Sequence, residues 1–591
     1  MRHLFILLLL ISISLNAQTN QYQISFDNAV HHEAKIKVSF PDIKSGKLHL
    51  RMSRTSPGRY ALHEFAKNVY GFKATNSKGQ PLTITRPDPS SWIVSDHDGT
   101  VNIEYILFAN RGDGTYSQID ETHAHLNIPA TFVYAEDLKH RPIEVNFDVR
   151  DDLNWKIATQ LEKKSGHTYA APDLYYFMDS PVEISDHQIK EFEHQNQTIQ
   201  FVLHHPGTEA EFDAYFNQVK EIVKQEAAVF NELPQYDYGR YTFLACYMPN
   251  VSGDGMEHRN STILTDVESL ANGGMKGNIG TVAHEFFHGW NVERLRPEDL
   301  EPFNFSEANM SKALWFAEGF TSYYTGLILR RANILSETEY IEGLAGTFNY
   351  VWNSPATVYF NPIEMSMQAP FVDAATSVDP VNRENTFISY YSYGSMLGLA
   401  LDLELRLKQL NLDDFMKLMW NRYGKKEIAY SVQNIQQSLA TYAGTEFSKN
   451  FFNNYIYSSK RPDYTELFKL IGVELVQSKE ESYFGASVTE TNEGLKITKN
   501  TFKNSPAYNA GLDKGDIIQQ IDGEALNTTE SFKDYISKQK PGATVKVEFE
   551  RFGNLKTTLV ILVSNPEYKI RLTKNPSKEQ LKNRKLWLDP K

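Results

Sequence analysis

Two histidines four residues apart flank a glutamate in the run His284-Glu285-Phe286-Phe287-His288. On a helix, positions four apart share one face, so His284 and His288 can present two imidazole nitrogens to one metal ion. Glu285 stands beside them, where its carboxylate reaches a water on that ion without itself being a ligand. With this donor set zinc acidifies water and a carboxylate takes the proton, so the predicted chemistry is hydrolysis. The pattern also arises by chance in long chains, and three protein ligands with an open position are needed to complete such a site.

Two carboxylates compete for the third place. Glu307 is separated from His288 by eighteen residues and sits in Phe305-Ser306-Glu307-Ala308-Asn309, which reads as a loop or helix-capping segment. Glu318 lies in Leu314-Trp315-Phe316-Ala317-Glu318-Gly319-Phe320, a run with helical spacing and apolar neighbours on both sides. A charge in that setting is costly unless it is paired or bound to metal. Gly319 beside it permits close helix packing. Glu318 is the favoured ligand, and Glu307 reads as a solvated acid.

The elements that must position these groups follow from the rest of the chain. Its 591 residues exceed one hydrophobic core, and about three or four domains are expected. With 41% hydrophobic and 13% aromatic residues the chain is globular, and a formal net charge of −13 without a compensating basic stretch excludes a nucleic-acid partner. Residues 1–17 read as a secretory signal: Met1-Arg2-His3 is basic, Leu4 to Ile13 is apolar, and Leu15-Asn16-Ala17 offers a cleavage site. No later segment is apolar for long enough to span a membrane. The expected location is therefore exported, periplasmic or secreted. The single cysteine, Cys246, allows no internal disulfide and reads as a buried strand residue.

Residues 18–190 alternate in the strand manner and predict an antiparallel β-sandwich. His123 and His125, two apart, are expected on an exposed strand face, and Pro57-Gly58-Arg59-Tyr60 reads as a turn with no chemistry of its own. The capping box Thr208-Glu209-Ala210-Glu211 opens a helix with Phe212, Phe216, Val219, Val223 and Phe230 on its buried stripe, stopped by Pro234. The predicted catalytic region, 191–475, is a mixed lobe followed by a helical lobe, with His284–His288 at the seam. A helix is expected from about Ser311 to Arg330, with others at Gly394 to Leu407, Asp414 to Tyr423 and Val432 to Tyr442. Residues 482–570 carry Gly511, Gly515 and Gly523 at the turns of a compact β domain. This pattern resembles a PDZ domain, which would take a peptide or protein C-terminus by strand addition or serve as a structural cap. Residues 571–591 read as a tail. The predicted class is multidomain α+β.

The run from His284 to Pro297, together with Leu314-Trp315-Phe316-Ala317-Glu318-Gly319-Phe320-Thr321-Ser322-Tyr323-Tyr324 and the domain order, resembles the exported glycyl aminopeptidase family of gluzincin metallopeptidases. The resemblance covers nearly the whole mature chain. It implies a thermolysin-like catalytic domain between a β-rich domain and a PDZ domain, one zinc ion on His284, His288 and Glu318, and peptide substrates with a free N-terminus, small residues such as Gly or Ala being favoured. Related aminopeptidases use a Gly-x-Met-Glu-Asn strand whose Glu holds the substrate ammonium group. Here the strand reads Asp254-Gly255-Met256-Glu257-His258, so Glu257 keeps the anchor, Gly255 and Met256 lie beside it, and Asp254 and His258 depart from the pattern. A tyrosine three residues before a glycine stabilises the oxyanion in those enzymes. Tyr391 fits before Gly394, with Tyr390 and Tyr393 as rivals. Glu285 would be the general base. The alternatives are a zinc endopeptidase on the same core and a non-catalytic peptide-binding scaffold.

Overall fold

The computed structural model describes residues 18–372 and 379–591; the segment read as a signal lies outside them. Two units result. One comprises the described residues up to Ser56 with Glu64–His187, and the other comprises Pro57–His63 with Gln188–Lys591.

The first unit is β-rich. Alternating apolar residues bury Tyr22, Ile24 and Phe26 on Asn20–Asn28, and Ile36, Val38 and Phe40 on Glu33–Phe40. These strands pair antiparallel at the centre of a seven-stranded sheet, accompanied by two four-stranded sheets. One pairing departs from the expected antiparallel pattern: Asn20–Asn28 runs parallel to Ile143–Asp148. His123 and His125 are buried, not exposed as expected. His125 Nδ1 lies 3.1 Å from the Glu183 carboxylate and Nε2 lies 3.0 Å from the Asp113 carbonyl. Burial opposes a charge on this ring, but the Glu183 carboxylate outweighs it and the His125 pKa is raised.

The second unit opens with a five-stranded mixed sheet in the order Gln188–His194, Gln197–His204, Arg240–Tyr247, Ser261–Asp266, Asp254–His258. The last strand is an antiparallel edge. The helix Glu209–Phe230 starts at the predicted capping box, with both reciprocal hydrogen bonds formed. It ends at Asn231, whose left-handed φ of 64° turns the chain before Pro234 is reached. The helical lobe holds Leu314–Arg331 and Tyr390–Leu407, the latter beginning four residues earlier than its apolar pattern suggests. These two helices cross at Gly319 and Gly394. A Cβ on Gly394 would overlap the Trp315 carbonyl, and one on Gly319 would overlap the Gly394 backbone.

Phe484, Leu495, Ile518, Ile521, Phe532 and Val547 form a separate small core in the PDZ-like domain. The chain then returns. Tyr568–Leu572 pairs antiparallel with Val473–Gln477, and the helix Lys578–Leu588 buries Trp587, whose Nε1 donates to the Tyr323 hydroxyl at 2.9 Å. Residues 571–591, expected to be a tail, thus supply part of the catalytic unit's core, and the PDZ-like domain is an insertion within that unit. No helix of the described residues is long and apolar enough to cross a membrane.

Candidate metal centre and active site

The helix Ile279–Phe287 carries the two histidines, with His288 as its last, capping residue. Its two phenylalanines fix its roll. Phe286 meets Tyr241 and Phe243 of the sheet at ring distances of 4.9 and 5.3 Å, whereas Phe287 stacks on Tyr324 of Leu314–Arg331 at 4.6 Å. The helix is therefore wedged between sheet and helical lobe, and the histidine face points along the seam. His288 Nδ1 donates to the Asn291 carbonyl at 2.7 Å. The Thr325 hydroxyl donates to the Thr321 carbonyl, leaving its oxygen to accept from His284 Nδ1 at 3.2 Å. With the Nδ1 protons engaged, each neutral ring keeps a lone pair on Nε2.

Those two Nε2 atoms stand 3.1 Å apart. Glu318 Oε2 lies 3.1 Å from His288 Nε2 and 3.7 Å from His284 Nε2. Bonds of about 2.0–2.1 Å in a tetrahedral site separate ligand atoms by roughly 3.3 Å. The three distances bracket that value, and two imidazole lone pairs with a carboxylate oxygen are a zinc donor set, so these residues fit the metal. Burial pushes the Glu318 carboxyl up, but a positive charge beside it, on His288 when that ring is protonated, holds it well below the usual carboxylate range. Its other oxygen, Oε1, accepts from the Tyr60 hydroxyl. Glu307 instead lies exposed in a loop ordered by Asn304 and Asn309.

Glu257, Glu285 and His288 come within 4.8 Å of one another. Glu285 is 6% exposed and Glu257 5%. Burial, followed by mutual repulsion and the Glu318 charge, raises the pKa of Glu285 well above normal; His288 and Arg59 pull the other way. Glu257 is raised for the same first reason. Its Oε1 has no hydrogen-bond partner among the described residues. Gly255 makes room for the base, because a Cβ there would overlap the Glu285 carboxylate and Thr281.

Among the three tyrosines, Tyr391 has its ring 5.8 Å from that of His284 and stays partly exposed. Tyr390 is buried, stacked on Tyr391 and edge-on to Tyr60. Tyr393 turns to Trp352, 5.7 Å away. Burial and the nearby Glu318 charge raise the Tyr391 pKa well above normal, so its hydroxyl keeps its proton.

The segment Pro57–His63 belongs to this unit, and three consecutive residues each touch a site residue. Gly58, at φ +79°, lies so close to Met256 and Glu257 that a Cβ would overlap both. Arg59 pairs with Asp254, and Tyr60 donates to Glu318.

Residues 21–186 match the M61 peptidase N-terminal domain, 277–397 the M61 glycyl aminopeptidase domain and 471–562 a PDZ domain. The chain thus carries both M61 peptidase domains followed by a PDZ domain. It is accordingly a zinc metallopeptidase. A solved aminopeptidase N family protein from Idiomarina loihiensis shares its fold, with TM-score 0.85 and 24% identity over 97% of this chain and 100% of that one. An M1 zinc metallopeptidase from Deinococcus radiodurans, crystallised with a Tyr-Ser-Ala substrate, is more distant: TM-score 0.43 and 12% identity over 76% of this chain and 95% of that one. Comparison with curated proteins finds no match.

The residues that sequence reasoning missed in this M61 peptidase are Gly58, Arg59 and Tyr60. The one local signal was Pro57-Gly58, a turn pair that also leaves a glycine free to adopt positive φ. Cys246 is buried on its strand as expected, with its sulfur 3.5 Å from His204 Nδ1.

Proposed function

We propose that this M61 peptidase removes single small residues, Gly or Ala, from the free N-termini of peptides, outside the cytosol. The observation that carries this reading is Glu257: a buried carboxylate with an oxygen still to be satisfied, a few ångströms from Glu285 and backed by Gly58. An ammonium group satisfies that oxygen. Gly58 packs against Met256 and Glu257 so closely that it holds this carboxylate in place. Export rests on the basic and apolar start of the sequence.

One zinc ion on His284, His288 and Glu318 would supply Lewis acidity to the scissile carbonyl and to water. Glu285, already disposed by its surroundings to hold a proton, takes one from the attacking water and returns it to the leaving amine. Tyr391 donates its proton in a hydrogen bond to the carbonyl oxygen as charge develops there. Glu257 counts the cleavage from the N-terminus by fixing the first ammonium group.

Hydrolysis of a free-amine peptide against its N-acetylated twin tests the reading. The free peptide should be cleaved about 10–100-fold faster, since a charged hydrogen bond is worth roughly 1.5–3 kcal/mol. Equal rates would favour an endopeptidase.

A further inference from the structure

The residues from Asn382 to Ser389 lead directly into Tyr390–Leu407, so they set where Tyr391 stands. Within the helical lobe the Tyr350 hydroxyl accepts from the Ser389 N–H at 3.0 Å and Phe360 stacks on Phe387, and the start of the segment is held from outside that lobe. Asn385, buried in the short helical turn Arg383–Thr386, uses both ends of its amide on the PDZ domain. Its Nδ2 donates to the Thr501 carbonyl at 3.0 Å, and its Oδ1 accepts from the Lys503 backbone N–H at 2.7 Å. Asn500 Nδ2 adds a third link, to Asn382 Oδ1 at 3.0 Å. The gripping loop is itself braced within the PDZ domain: Thr501 Oγ1 donates to the Leu512 carbonyl and Ser505 Oγ to the Gly485 carbonyl. A buried amide satisfied at both ends by backbone has one orientation only, so the grip is directional.

The PDZ domain does not depend on this grip for its attachment. The ribbon of Val473–Gln477 with Tyr568–Leu572 and the buried helix Lys578–Leu588 already fasten its two ends. We propose that the PDZ domain acts in cis as a positioning clamp, its 500–503 loop setting the placement of Tyr391 through Asn385 and Asn382. Asn385 is thus a positioning residue, and the inference rests on Tyr391 as the oxyanion donor.

The test is a mutant cycle in the full-length zinc enzyme, reading kcat and KM on a free-amine glycyl peptide, with zinc content and Tm as controls. Tyr391→Phe should lower kcat by about 10²–10³-fold. Asn385→Ala should lower kcat roughly tenfold with KM changed less than about twofold, as misplacement of a transition-state donor does. Asn500→Ala, at an exposed link, should lower kcat by a smaller factor. In the Tyr391→Phe background both losses should vanish. The clamp is overturned if Asn385→Ala costs the same factor in both backgrounds, moves only KM, or leaves kcat intact. If Asn385→Ala does not fold, the Asn500→Ala cycle decides by the same criteria. A normal kcat for Tyr391→Phe removes Tyr391 as donor, a different failure that takes the clamp with it.

Discussion

Tyr60→Phe removes one oxygen atom and should weaken the metal centre without disturbing its packing. The Tyr60 ring is buried and edge-on to Tyr390 at 6.0 Å, contacts that phenylalanine keeps. What disappears is the donor to Glu318 Oε1, on a carboxylate that is 1% exposed and whose other oxygen faces the two imidazoles. Water cannot readily replace a donor at such depth. Losing a hydrogen bond to a charged group costs about 1.5–3 kcal/mol. Part of that appears as lower zinc affinity, since the hydroxyl orients the ligand oxygen that binds the ion. Groups that orient metal ligands typically contribute about 10–100-fold in affinity, or roughly 1.4–2.7 kcal/mol, which agrees with the hydrogen-bond figure.

Zinc affinity measured by competition with a chelator of known affinity, at fixed pH, should therefore fall about 10–100-fold. Saturating zinc should restore most of kcat, because Glu285, Tyr391 and Glu257 are untouched. An affinity within about twofold of wild type would refute the reasoning and reduce the contact to packing.

Three other outcomes are expected. Glu257→Ala should lower kcat/KM for free-amine peptides about 10–100-fold and leave N-acetylated peptides unaffected, as judged by initial rates on the pair. Gly394→Ala should cost about 3 kcal/mol or more, read as a lower urea midpoint, because the new Cβ meets the Trp315 carbonyl and a backbone cannot yield as a side chain does. Glu404, largely buried on Tyr390–Leu407 with Tyr455 as its partner, has its pKa pushed up to about 7 by burial. The folded protein holds that proton between the ordinary carboxylate range and pH 7 while the unfolded chain has released it. This contribution is present in full at lower pH and is lost as pH rises through 7. Glu404→Gln should remove a loss on the order of 2–3 kcal/mol between pH 5 and pH 8, seen in urea midpoints at both values.

How legible each part of this molecule is in its sequence depends on whether the forces that place it are local. His284, Glu285 and His288 are set by one helical period, and Glu318 declares itself by a charge amid apolar neighbours. Thr208 and Glu211 cap a helix with atoms three residues apart. Trp587 is different: the helix around it is largely charged, and its burial depends on Tyr323, which is 264 residues away in sequence. His125 escapes the expected exposed face because Glu183, on a neighbouring strand, makes a buried imidazolium tolerable. The segment at Gly58–Tyr60 is the most distant case, reaching Glu318 across 258 residues. Its three residues share no periodicity, because each answers to a different partner: Glu257, Asp254 and Glu318. A turn in the sequence thus becomes part of the active site only through the fold. Substitutions at Gly58 should therefore act on Glu257 and the substrate amine, whereas those at Tyr60 should act on the metal.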